Sequence, residues 1–367
     1  MTRQSQKAGD GSSNFQAENM VVHAGIDERR AREVFQEMNL QLRKEYTQDA
    51  LEMANKRISE FENSLMPKME RVEGALNAFA DPGFQLQLLE AQKTAACSDR
   101  PADYDLLSEL LIHRFQKGDN RNSRAGISLA IEIVDKVSDE ALLGLTVAHA
   151  VATFVPLSGD VHQGLNNLNE LSRKIIYGEL PSGQEWLDHL DILNTIRLSS
   201  LGNMKKIQEL YSNFLSGYVD VGIEKESEDY SKAIKIIDSN NLPRDLLVDH
   251  IFNDDFYRIP VTNRGHIENL SLQKLVVEDG IQRSVSAPLT REQLNAVYSI
   301  YDLYSKDNGL KQNNINSLMS EWDKRPSLKA LREWWDNISM ALTITSVGKA
   351  LAHSNAQRCE NNLPPLD

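Results

Sequence analysis

The sequence predicts a mainly α-helical protein: a short N-terminal β segment, a long helix, then a multi-helix bundle that ends in a C-terminal helical subdomain. Three observations predict it. The run from Asp27 to Leu65, DERRAREVFQEMNLQLRKEYTQDALEMANKRISEFENSL, has neither glycine nor proline and is rich in strong helix formers. Beyond it, segments about one helix long alternate with polar joints such as SDRPAD and GDNRNS. Alternation with a period of two is clearest in NFQAENMVVHAG, near the N-terminus.

That first segment is flanked by turn residues, Gly9, Gly11, Ser12 and Ser13 before it and Gly25 after it. Phe15, Ala17 and Val21 fall on one side of the strand, Met20 and Val22 on the other, so both faces carry apolar groups. A lone strand leaves its backbone N–H and C=O groups unpaired, and the expected partner is the same segment of another subunit. Phe15, Ala17, Val21 and Val22 would supply apolar contact there, while Asn14, Gln16 and Asn19 bond across copies.

Asp27 is the expected N-cap of the long helix. Its apolar positions, Val34, Met38 and Leu42, then Leu51, Ala54, Ile58, Phe61 and Leu65, form a narrow stripe. Such a stripe suits a helix of another subunit or the chain's own body, and Val34, Met38 and Leu42 join the oligomerisation set on the first alternative. Pro67 is expected to kink or restart the helix, and ADPG at Ala80 to Gly83 to turn the chain.

FQLQLLEAQKTAACS, DYDLLSELLIHRFQK, SRAGISLAIEIVDKV and SDEALLGLTVAHAVATF then read as successive helices, with Ser138 as a start signal for the last. WLDHLDILNTIRLSSL and NMKKIQELYSNFLSGYVDV continue the series. NNLPRDLLVDHIFNDDFYRIPVTNRGHIENL is irregular and marks the edge of a subdomain. After it come LTREQLNAVYSIYDLYS, where Thr290 and Gln293 have capping-box spacing, then LKALREWWDNISMAL, TSVGKALAHSNAQR and a tail, ENNLPPLD. The implied division is 1–26 β-like oligomerisation segment, 27–82 long helix with coiled-coil character, 83–240 helical bundle and 241–367 C-terminal subdomain.

The formal net charge is -13 with pI near 5.2, so nucleic acid is an unlikely partner for the surface as a whole. Two cysteines, Cys97 and Cys359, stand far apart, which points to a reducing cytoplasm rather than a disulfide framework or zinc knuckle. The N-terminus lacks the apolar core of a signal peptide. ALLGLTVAHAVATFVPL, the most apolar stretch, carries His149 and meets Pro156 before reaching the roughly 20 residues of a spanning helix, so it reads as a buried core helix with no membrane span expected.

Candidate chemistry is sparse. Asp249, His250, Asp254 and Asp255 in DHIFNDDFYR could hold a divalent metal or act as acid and base, yet their spacing fits no ligand signature and a solvated acidic loop is the favoured reading. SKDNG fails the calcium-loop register, because Ile315 would replace the bidentate glutamate. ITSVGKALAHSN could form part of a winged-helix module with Arg325, Lys329, Arg332 and Lys349 on phosphates, but Glu321, Asp323, Glu333 and Asp336 dilute that charge. No nucleophile triad, phosphate loop or dinucleotide fingerprint is present, and no cofactor is expected.

GDGSSNFQA, ADPGFQLQLLEAQKTAACSD, LLSELLIHRF and TSVGKALAHSN together resemble an uncharacterised bacterial family of LPO/Vpar type, marked by a GDxSxNxQA opening before a helical body. Gly9, Asp10, Ser12, Asn14, Gln16 and Ala17 match that opening, and Glu18 departs from its glycine. The resemblance implies a shared architecture and a bacterial cytoplasmic setting, carries over no catalytic residue, and associates the chain with anti-phage defence or stress response. The expected function is a non-enzymatic homo-oligomeric scaffold or sensor, with a further protein partner open. The alternatives are a nucleic-acid-binding regulator acting through the C-terminal module and a metal-dependent enzyme.

Overall fold

The computed structural model describes residues 26–42, 47–117, 120–199, 202–278 and 281–366, with the side chains of 41–42 and 273–284 outside that description, and the fold is mainly helical. The chain divides after Gly118 into two compact units.

In the first unit the expected long helix is two helices, α1 (Glu28–Leu42) and α2 (Gln48–Arg71). They lie against each other. Phe35 meets Phe61 with 5.8 Å between ring centres, and Arg32 pairs with Glu62 at 3.2 Å. The apolar stripe is thereby filled from within the unit: Val34 of α1 and Ala54, Ile58, Phe61 and Leu65 of α2 are buried. α2 also runs through Pro67 where a break was expected. The ring forfeits one helical hydrogen bond, to the carbonyl four residues back, and burial of Leu65, Met66 and Met69 offsets that loss. Asp81 of the ADPG turn caps α3 (Pro82–Cys97) by accepting from the Phe84 N–H at 2.8 Å, with Pro82 at the first helical position. α4 (Pro101–Gln116) closes this core through Leu106, Leu107, Leu110 and Leu111.

The second unit begins with α5 (Arg121–Ile133), α6 (Asp139–Thr153) and α7 (Val161–Ile175). Ser138 caps α6 as its sequence predicts, accepting from the Ala141 N–H, and every residue from Ala141 to Val151 is buried. Among the described residues no helix is long and apolar enough to cross a membrane. WLDHLDILNTIRLSSL is not one helix: α8 (Glu185–Ile192) ends, Asn194 adopts a left-handed φ of 57°, and Ile196–Ser199 forms β1. The next stretch splits into α9 (Ile207–Phe214) and the single turn α10 (Ser216–Val219). Then follow β2 (Ile223–Glu224), α11 (Glu228–Ser239), β3 (Val248–Asp249) and β4 (Phe256–Arg258). β5 (Ser271–Glu278) and β6 (Ile281–Pro288) lead into α12 (Arg291–Tyr301), whose Thr290–Gln293 capping box is formed in both directions. The chain closes with α13 (Asn308–Asp323), α14 (Pro326–Asp336), β7 (Ala341–Ile344) and α15 (Ser346–Cys359).

Among the described residues three small antiparallel sheets interrupt the helices: β1 with β7, β2-β4-β3, and the ribbon of β5 with β6. One apolar core gathers α6, α7, α9, α13 and α14 around Trp322, Tyr211 and Leu318. A second gathers α11 and α12 around Ile237, Val297 and Tyr304. The C-terminal residues read as a tail are docked, since His353 donates from Nε2 to the Pro364 carbonyl at 2.9 Å and Leu363 packs on the first core.

Candidate functional site

The ribbon of β5 and β6 pairs along its whole length, from Ser271 opposite Pro288 to Glu278 opposite Ile281. Its root is fixed on both sides. Before β5, Asn263 caps a 3-10 turn over Arg264–Asn269 by accepting from the His266 N–H; after β6, Thr290 caps α12. Leu270, Leu272 and Leu289 pack at the root on the core that holds Ile267 and Val297. Eight-residue strands reach about 27 Å at the usual rise per residue. Among the described residues neither outer edge has a partner, and Val285 is 46% exposed. A two-stranded ribbon is marginal alone in water, so its unpaired N–H and C=O groups offer a template for another strand. Sequence reasoning missed this element although part of its signal was present: VVEDGIQ carries Asp-Gly, a two-residue hairpin dipeptide, close to the β-branched Val276, Val277 and Ile281.

The second unit also holds a polar hub. Asp220 accepts from the Tyr301 hydroxyl at 2.6 Å and from Lys311 Nζ at 2.7 Å. These three, with Arg264 and Ser305, line a cavity of about 370 Å³. Arg258 is buried, and among the described residues no carboxylate bonds it; its guanidinium donates to the carbonyls of Gly159, Gly217 and Ile259 and lies over the Tyr218 ring. Burial lowers the Arg258 pKa. Burial raises the phenols of Tyr301 and Tyr304, and at Tyr301 the Asp220 carboxylate adds to the effect. These hydroxyls therefore stay protonated; that of Tyr301 donates to Asp220, and that of Tyr304 accepts from the Ile259 N–H. The arrangement is built to hold charge in place, and both phenols are moved away from neutrality.

His250 is engaged at both of its ring nitrogens. Its Nδ1 accepts from the Phe252 N–H at 3.1 Å, which leaves the proton on Nε2, donated to the Asp220 carbonyl at 3.0 Å. Both ring nitrogens are occupied by backbone. Burial, then the nearby Arg258, lowers its pKa to about 4. Asp249 pairs with Lys225 at 2.7 Å, and Asp254 and Asp255 face solvent. Among the described residues no three His, Cys, Asp or Glu side chains form a metal-ligating group. SKDNG serves as a helix start: Asp307 caps α13 by accepting from the Gly309 and Leu310 N–H groups.

The other sequence candidates are placed as follows. Asn14, Phe15, Gln16, Ala17, Asn19, Val21 and Val22 lie outside the described residues. Val34 is covered by its own unit, Met38 is half-buried, and Leu42 is the last residue of α1. In the C-terminal module, β7 does precede a helix but pairs with β1. Three of its four basic candidates have partners: Arg325 bonds Asn166 and the Glu321 carbonyl, Arg332 pairs with Asp323, and Lys329 lies 3.9 Å from Glu333, while Lys349 is exposed. Trp335 is core, whereas Trp334 is half-buried.

No curated protein and no solved structure matches the chain. One protein-family model matches it over residues 25–364, which takes in both compact units and starts after the GDGSSNFQA opening. On that match through the helical body, the chain belongs to this Vpar-type family.

Proposed function

We propose that the chain is a non-enzymatic oligomeric scaffold or sensor whose copies join edge to edge through the β5–β6 ribbon. The ribbon's two unpartnered edges carry this proposal. A two-residue connection makes the closing pair, Glu278 and Ile281, a hydrogen-bonded one, so Gln273, Leu275 and Val277 direct their backbone groups to the outer edge of β5. Antiparallel pairing of two β5 edges about a two-fold axis at Val276 then sets Lys274 of one copy opposite Glu278 of the other, twice. The edge is self-complementary in charge. The buried imidazoles and phenols, held far from neutrality, favour binding over turnover. The ion pairs of Arg325, Lys329 and Arg332 weigh against the nucleic-acid regulator. Residues 14–22 remain a sequence-level candidate for the same association, and a cytoplasmic defence or stress role rests on the family resemblance alone.

Charge reversal tests the register. Lys274→Glu and Glu278→Lys are each expected to weaken association about ten-fold in sedimentation experiments, because both symmetric pairs become repulsive. The double exchange restores it. Single variants that associate like the wild type, or a double variant that stays apart, would refute the pairing.

A further inference from the structure

On the second unit, away from the ribbon, a cavity of about 300 Å³ is walled by Trp186, Trp334, Leu180, Pro181, Leu187 and Ile338. The two indoles lie 5.7 Å apart between ring centres, tilted by 36°. The Trp334 N–H is already used, donating to the Pro181 carbonyl at 2.8 Å. That bond fixes the ring against the segment before α8 and leaves its π surface as what it can offer a guest. Trp186 is locked as well: a Cβ on Gly144 would come within 2.8 Å of its ring, so the indole sits hard against α6. Trp186 is only 5% exposed, so it backs Trp334, whose face is the one open to a guest.

Glu333 is the one charged residue in the lining. It sits one residue before Trp334 on α14, is largely exposed, and is held only loosely by Lys329 at 3.9 Å. Asn337 also lines the cavity, and its Nδ2 is used, donating to the Glu333 carbonyl at 2.8 Å. Aromatic faces carry negative potential, and a carboxylate at the rim adds to it. An uncharged apolar guest would use the walls but not Glu333; an anion would be repelled by both. We infer that this cavity binds a small organic cation of the quaternary-ammonium type, with Trp334, backed by Trp186, as the aromatic wall and Glu333 as counter-ion. Its size is at the lower end of small-molecule sites, which fits a compact cation rather than a peptide.

The test compares choline with 3,3-dimethylbutanol, its uncharged isostere, by calorimetric titration of the full chain. Choline is expected to bind with millimolar affinity and the neutral isostere at least about ten-fold more weakly, since only the charge differs. Glu333→Gln, an exposed change that leaves the fold intact, should weaken choline several-fold without altering the isostere. Trp334→Leu should abolish the preference for charge, and circular dichroism checks that this variant remains folded. Equal binding of the two compounds would overturn the inference in favour of a plain apolar groove. Indifference of choline to Glu333→Gln, or no heat of binding at all, would also overturn it.

Discussion

Acidification from pH 6.5 to pH 4.5 is expected to remove several kcal/mol of stability, well before most carboxylates are protonated. Two buried imidazoles cause this. His149 on α6 is 3% exposed and His250 is fully buried; burial, joined by His353 at the first and Arg258 at the second, lowers both pKa values to about 4. The proton positions are determined at His149. Pro364 offers only a carbonyl, so His353 must donate from Nε2, accept at Nδ1 from His149 Nε2–H at 3.1 Å, and leave His149 Nδ1 to accept from the Thr153 hydroxyl at 3.3 Å. In the unfolded chain both imidazoles regain an ordinary pKa near 6.5 and take up protons that the folded state refuses. The stabilisation is therefore whole above about pH 6.5, falls as the pH drops towards 4, and is flat below. Each histidine contributes on the order of 3 kcal/mol across that window. Together they rival the full stability of an ordinary domain. Urea midpoints measured at half-unit intervals test it, with His149→Gln and His250→Gln each expected to flatten the slope; a midpoint unchanged between pH 6.5 and 4.5 would contradict the account.

Gly159→Ala is expected to cost about 3 kcal/mol or more, and Gly217→Ala a comparable amount. A Cβ on Gly159 would lie 1.7 Å from the Pro260 carbonyl oxygen, and one on Gly217 would lie 2.2 Å from that of Val261. Both obstacles are backbone and cannot swing aside. The close approach has a purpose, because the carbonyls of these two glycines receive the buried Arg258 guanidinium. Forcing either segment outward strips acceptors from a buried cation that no carboxylate bonds among the described residues, so the packing clash and the lost charge-assisted bonds add. Thermal unfolding of both variants beside Gly178→Ala checks this. A Cβ at Gly178 meets only the Leu143 side chain, at an ordinary 3.5 Å, so that control should be near neutral.

Local signals in the sequence carried most of the helical body. Ser138, the Thr290–Gln293 box and the strongly apolar α6 all act within a few residues of themselves, and each is formed as its sequence implies. What stayed hidden depends on distant partners. Ile196–Ser199 reads as the end of a helix until Ala341–Ile344 is brought beside it, and Asn194 supplies the turn. The folding of α1 onto α2 needs the Phe35–Phe61 contact to close, and nothing in the periodicity of either helix announces that they meet. His149 and His353 stand at opposite ends of the unit's sequence, so their shared proton arrangement has no local signature. The cation cavity is of the same kind, assembled from α8 and α14. The ribbon differs: its Asp-Gly mark was legible, and only its isolation from other strands required the fold.

The edge-to-edge association is tested most directly by residue-resolved amide hydrogen exchange of the full chain over a range of protein concentrations. The Leu275 and Val277 amides, directed outward from β5, are predicted to exchange rapidly when dilute and to become protected in step with the solution mass, while amides inside α6 stay protected throughout. If the mass rises with concentration and these two amides go on exchanging freely, the chain associates through some other surface.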